Sequence, residues 1–219
     1  MTSSGIVKNK DLIQYLIKGK ILKNERAVIA MMQVDRKNFC TSKYPYRDIP
    51  TPIGNGATIS APHIHALYIE LLSDFLKPGA KALDIGSGSG YSTAVMAHMV
   101  KPGGKAVGIE QIRSLVKFSN QNVDKDSYSL RINNNIEFVE GDGREGWAKE
   151  APYDAIHVGA ASEGIPKTLK EQLKIGGRMI LPVNTPGDKE KQILMQVDKK
   201  GPDSFEYTDL GEVLFYFKK

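Results

Sequence analysis

Cysteine is almost missing from this chain: Cys40 stands alone among 219 residues. One thiol excludes an intrachain disulfide framework and fits a reducing compartment, so the cytoplasm is the expected location. Long apolar runs are missing too. No stretch approaches the roughly 20 residues that a membrane-spanning helix needs, and the N-terminal MTSSGIVKNKDLIQYL lacks the unbroken apolar core of a signal peptide. Tryptophan occurs once, at Trp147, and like Cys40 is expected to serve the structure. The four histidines, at 63, 65, 98 and 157, have neither a cysteine cluster nor paired spacing, so no metal site is expected. Internal repeats and low-complexity linkers are lacking, and the length suits one domain with one sizeable core.

Positive charge is unevenly placed. Residues 1–50 hold ten Lys or Arg against four Asp or Glu, while the whole chain carries a net +5. Lys8, Lys10, Lys18, Lys20 and Lys23 are interleaved with apolar residues at helical spacing, the pattern of solvated helix faces rather than of a nucleic-acid patch.

Two amphipathic helices are expected at 9–19 and 24–34, with Leu12, Tyr15 and Leu16, then Val28, Met31 and Met32, facing inward. Residues 43–61, rich in proline and glycine, read as an ordered irregular segment. Pro62 opens a helix to about Leu76, which Pro78 and Gly79 end. Beyond residue 80, strands at 81–85, 105–110, 136–140, 155–158 and 178–183 alternate with helices at about 90–100, 111–124 and 166–174. Two further apolar runs, 192–197 and 212–217, suggest an antiparallel pair closing the sheet edge. The expected fold is α/β, a doubly wound, mostly parallel seven-stranded sheet with an N-terminal helical extension. Residues 1–78 supply the extension and 79–219 the α/β core.

The segment Leu83-Asp84-Ile85-Gly86-Ser87-Gly88-Ser89-Gly90-Tyr91 follows a strand and opens a helix. A glycine-rich turn there approaches a nucleotide-like ligand closely and faces it with unpaired helix amides. The spacing G-x-G-x-G differs from the dinucleotide fingerprint, and Asp84 suits a cationic ligand better than a pyrophosphate. Glu110 ends the second strand and can accept from both hydroxyls of a ribose. Asp142, in Gly141-Asp142-Gly143 after the third strand, can accept from an exocyclic amine, and Gly143 frees backbone to approach a flat ring. Alone, each such acid is commonly a surface or capping group. At three consecutive strand ends they describe a ribose-and-adenine site.

Asp84 with its glycines, Glu110 and Asp142 together resemble the S-adenosylmethionine-dependent methyltransferases. The stretches PIGNGATISAPHIHA (52–66), ALDIGSGSGYSTA (82–94), GDGREG (141–146), APYDAIHVGAA (151–161) and QLKIGGRMILPV (172–183) look like protein-L-isoaspartate O-methyltransferase, from about Asp11 to Phe217. The resemblance implies methyl transfer from S-adenosyl-L-methionine to the α-carboxylate of L-isoaspartyl or D-aspartyl residues, leaving S-adenosyl-L-homocysteine. The ester then collapses to a succinimide, so the implied role is repair of damaged polypeptides by a monomer, without nucleic acid or membrane.

Ser60 matches the family's active-site serine; the other reading of Ser60 is the N-cap of the helix at Pro62. Ala57, Thr58 and Ile59 would supply backbone contacts to the cofactor, with His65 one turn into the helix. Gly86, Ser87, Gly88 and Ser89 would bind the cofactor, Ser89 at its methionine end, and Ile59, Ser60, Val158, Gly159 and Ala160 would meet the substrate. His65 and His157 also read as packed histidines. At the C-terminus, Val213-Leu214-Phe215-Tyr216-Phe217 stands where the family usually has Pro-Leu-Thr, so either the sequence is cut short there or the pocket closes differently. Two other readings stay open. The basic balance points to an RNA methyltransferase, against which no Asn-Pro-Pro-aromatic motif follows the fourth strand. The altered C-terminus points to a non-catalytic module that binds isoaspartyl sites or S-adenosylmethionine.

Overall fold

The computed structural model describes residues 5–185 and 188–213. Helix α1 (Asn9–Lys18) buries Leu12, Ile13 and Leu16, and α2 (Glu25–Gln33) buries Ala27, Ala30 and Met31. Met32 is 38% exposed rather than inward. One residue advances a helix by about 100°, which carries Met32 out of the seam that Met31 fills. The side chain of Asn24 caps α2 by accepting from the amides of Arg26 and Ala27. A single 3-10 turn, Arg36–Phe39, follows.

The segment expected to be irregular contains a hairpin. Strands β1 (Thr51–Gly54) and β2 (Ala57–Ile59) pair antiparallel around Asn55 and Gly56, with φ of 53° and 74°. Asn-Gly accepts left-handed backbone at both positions, as a tight hairpin turn requires. Helix α3 (Pro62–Leu72) starts on its proline and stops short of Leu76.

The α/β core comprises β3 (Lys81–Ile85), α4 (Tyr91–Val100), β4 (Lys105–Glu110), α5 (Arg113–Asp126), α6 (Tyr128–Ile132), β5 (Ile136–Glu140), β6 (Tyr153–Val158), α7 (Lys167–Gln172), β7 (Leu173–Thr185), β8 (Asp188–Lys199) and β9 (Phe205–Val213). Seven strands lie in the order β5-β4-β3-β6-β7-β8-β9. Pairs from β5 across to β7 are parallel, and β8 pairs antiparallel with both β7 and β9. The expected doubly wound, mostly parallel sheet with an antiparallel closing pair is present. Among the described residues no helix is long and apolar enough to cross a membrane.

Both sheet faces are covered. Ala82, Ala106, Ala155 and Ile180 join the cluster built by α1 to α4, while their neighbours Leu83, Val107, Ile156 and Met179 join a second cluster with Leu169. Strand periodicity sends successive side chains to opposite faces, which is why these strands read as continuous apolar runs. Strand β9 begins at Phe205, well before the expected 212. It is an exposed edge strand, so its start carries no apolar run to betray it. Residues 214–217 of that expectation, and with them most of the altered C-terminus, lie outside the described residues.

The chain runs outward from β3 to β4 and β5, then returns to place β6 on the other side of β3. A crevice therefore opens at the carboxyl ends of β3 and β6, the place where such sheets bind ligands.

Candidate active site at the switch point

The turn after β3 needs its glycines. Gly86, Gly88 and Gly90 have φ of 75°, 53° and 84°. A Cβ on Gly90 would sit 2.7 Å from Phe138 Cζ and 2.9 Å from Ser119 Cβ. The amides of Gly86 and Ser87 donate to the Ile109 carbonyl at 2.9 and 3.0 Å, and Asn122 of α5 donates to the Ser89 carbonyl at 3.0 Å. These bonds hold the turn as the floor of a cleft that Thr58, Ser60, Asp84, His157 and Gly159 also line.

Asp84, lining that cleft, is 1% exposed. Both its oxygens are engaged: Thr93 Oγ1 donates to Oδ2 at 2.5 Å, and His157 Nδ1 lies 2.7 Å from Oδ1. His157 also packs edge-on against Tyr68, ring centroids 4.4 Å apart. Glu110 is buried directly behind the turn. Its Oε2 accepts from the Gly88 amide at 3.1 Å and its Oε1 from the Ile112 amide at 3.0 Å. Each oxygen keeps acceptor capacity for a ligand hydroxyl.

Asp142 and Gly143 follow β5 but do not border the cleft. The Asp142 carboxylate is gripped by the guanidinium of Arg144, with Nε 2.9 Å from Oδ1 and Nη2 2.6 Å from Oδ2. That grip, with the Arg144 amide, holds its carboxyl down at about 2. Gly143 is packed on Ile85, whose Cγ2 a Cβ would strike.

One wall is the segment Thr58, Ile59 and Ser60, with Ala57 just behind it. The opposite wall is Gly159, whose amide donates to the Ile85 carbonyl at 2.7 Å; Val158 and Ala160 flank it. Ser60 does not cap α3. The N-cap is Ala61, without a side-chain bond, and the His63 amide is served by Asp48 Oδ1 at 2.9 Å, 2.8 Å from His63 Nδ1 as well. The Ser60 hydroxyl is thus spared, making no hydrogen bond among the described residues. Its carbonyl accepts from Nη2 of Arg36 at 2.8 Å. Arg36, fully buried, was not singled out from sequence, and nor were the cleft residues Tyr91 and Ser92.

His65 meets Ser92 Oγ through Nδ1 at 2.8 Å and packs edge-on to Tyr91, ring centroids 4.9 Å apart. Burial first, then the charge of Arg36, pushes its pKa well below the usual 6.5. His98, away from the cleft, is lowered to about 4 by burial and by Lys101. Both stay neutral in the fold while the unfolded chain takes up protons below 6.5. Their contribution is intact above that pH and drains away as pH falls through it. The thermal midpoint is therefore expected to drop by several degrees between about pH 7 and pH 5; a flat profile in that window contradicts the neutral assignment.

Among the described residues, four buried polar atoms of cleft residues have no hydrogen-bond partner: His65 Nε2, Ser87 Oγ, Tyr91 Oη and His157 Nε2. Such orphans cost about 1–3 kcal/mol each, and their convergence on one cleft fits a polar ligand completing it. The glycine floor, the carboxylates of Asp84 and Glu110, and these atoms suit a cationic nucleoside. Among the described residues no group of three or more His, Cys, Asp or Glu is arranged to hold a metal ion.

A model of the protein-L-isoaspartate(D-aspartate) O-methyltransferase family matches residues 7–217. A protein-L-isoaspartate O-methyltransferase of Triticum aestivum is 48% identical over 199 residues, covering 90% of this chain and 85% of that one. Its Caenorhabditis elegans counterpart is 48% identical over 191 residues, covering 87% and 84%. A Plasmodium falciparum protein described as such an enzyme, solved with S-adenosyl-L-homocysteine, matches with a TM-score of 0.88 at 32% identity, covering 97% of this chain and 99% of that one. On a family match spanning nearly the whole length, this chain belongs to the protein-L-isoaspartate(D-aspartate) O-methyltransferase family.

Proposed function

We propose that the chain transfers the methyl group of S-adenosylmethionine to the α-carboxylate of L-isoaspartyl and D-aspartyl residues in damaged polypeptides, with Ser60 holding that carboxylate. The observation that carries this reading is the unbonded Ser60 hydroxyl on the wall of the cleft floored by the glycine turn. When bound, S-adenosylmethionine supplies a methyl group activated by its positive sulfur. Asp84 and the turn Gly86–Ser89 would face that end, Glu110 the ribose, and Thr58, Ile59, Ser60 and His65 the remaining wall, with Ala57 behind. Gly143 and Asp142 would take the adenine end, Asp142 by exchanging Arg144 for the ligand. Ile59, Ser60, Val158, Gly159 and Ala160 would receive the peptide.

A carboxylate is ionised at neutral pH, so no strong base is required. The residues' work is alignment and exclusion of water. Ser60 donates its hydroxyl hydrogen to one carboxylate oxygen and leaves the other free to attack. We place the chain as a cytoplasmic monomer acting on polypeptides and not on nucleic acid.

Labelled S-adenosylmethionine offered with an isoaspartyl peptide and with total RNA tests this: base-labile label is expected on the peptide. Label in RNA replaces the reading, and cofactor binding without transfer reduces it to a binding module. Glu110→Ala is expected to weaken S-adenosylhomocysteine binding by about 1–3 kcal/mol, the range for a charge-assisted contact. An unchanged dissociation constant by calorimetry contradicts the ribose assignment.

A further inference from the structure

Arg36 is fully buried and yet, among the described residues, has no carboxylate within ion-pair distance. Its Nε donates to the Pro45 carbonyl at 2.9 Å and its Nη2 to the Ser60 carbonyl at 2.8 Å, while Nη1 has no partner among the described residues. The guanidinium carbon lies 5.6 Å from the centroid of the Tyr91 ring, and Tyr91 is the first residue after the glycine turn. One planar group thus touches the segment that leads toward the hairpin, at Pro45, the backbone of Ser60 and the start of α4. Keeping an unpaired guanidinium out of water is costly, and an apolar side chain of similar volume fills space at less expense. What the apolar side chain lacks is a rigid fork able to hold two carbonyls at fixed spacing.

We infer that Arg36 is the positioning residue for Ser60, pinning the serine wall against the cofactor turn so that the hydroxyl meets the substrate carboxylate in register. The inference rests on the methyltransferase reading above. Its field also reaches the cleft: after burial, Arg36 is the largest influence lowering His65, and it opposes the burial that raises Tyr91 to about 12.

The test is a double-mutant cycle on the full chain with Arg36→Lys, Ser60→Ala and the pair, read by kcat and KM on an isoaspartyl peptide and by calorimetric binding of S-adenosylhomocysteine. Lysine keeps the charge but not the fork. Misplacement of a positioned group by about 1 Å costs roughly 10²-fold. Arg36→Lys is therefore expected to lower kcat by about 30-fold or more while S-adenosylhomocysteine affinity moves by less than about 3-fold. In the Ser60→Ala background the same change is expected to cost less than about 2-fold, because the group it positions is gone. Additive losses in the cycle overturn the inference, as does a parallel fall of cofactor affinity and kcat, or unchanged kcat in Arg36→Lys. If Arg36→Lys does not fold, Arg36→Gln, a neutral donor, takes its place under the same criteria, and failure of both to fold assigns Arg36 to stability and overturns the inference. A wild-type chain that does not methylate the peptide removes the underlying reading instead, so the two failures are distinguishable.

Discussion

Replacing Ser60 with alanine is expected to lower kcat on an isoaspartyl peptide by about 10²-fold, the cost of losing the alignment of the attacking carboxylate. The fold loses little, because Ala61 and Asp48 already serve the start of α3 and the hydroxyl bonds nothing among the described residues. Cofactor affinity is expected to stay within about 3-fold, since the turn, Asp84 and Glu110 are untouched. Steady-state kinetics with calorimetry checks both halves. Full activity in Ser60→Ala removes the hydroxyl's role; a matched loss of cofactor affinity makes Ser60 a binding residue only.

Asp84→Ala is expected to be the most destabilising change at the site. The carboxylate is buried and serves Thr93 Oγ1 at 2.5 Å and His157 Nδ1 at 2.7 Å. Its loss strands two buried polar groups, and His157 already has an orphaned Nε2. Breaking a buried pair costs about 3–5 kcal/mol, which for a chain of this size lowers the thermal midpoint by roughly 10 °C. Asp84→Asn keeps an acceptor and the shape, so a smaller loss is expected. A midpoint within about 2 °C of wild type in Asp84→Ala contradicts the assignment.

What was legible in the chain follows from how local each signal is. The glycine turn, the three acidic strand ends and the parallel core are written in contiguous residues, and the core strands are apolar on both faces because both faces are covered. The hairpin of β1 and β2 was equally local, its Asn55-Gly56 turn standing inside PIGNGATISA, but the surrounding proline and glycine masked it. The grip of Arg144 on Asp142 spans two residues and turns a free-looking acceptor into a paired one. Partners far apart in sequence were not legible. His157 lies 73 positions from Asp84, and Arg36 24 from Ser60, with no periodicity linking either pair. Strand β9 hid for another reason: an exposed edge buries too little to impose an apolar pattern.

The central claim is that Ser60 and its wall select a carboxylate presented through the isoaspartyl linkage. The most direct measurement is kcat/KM for methyl transfer to two peptides that differ only in whether one residue is isoaspartyl or aspartyl. Base-labile methyl ester on the isoaspartyl peptide, with its twin at least about 10²-fold poorer, is the predicted result, since a displaced carboxylate misses the aligned position. Equal methylation of the two peptides, or transfer to neither, contradicts it.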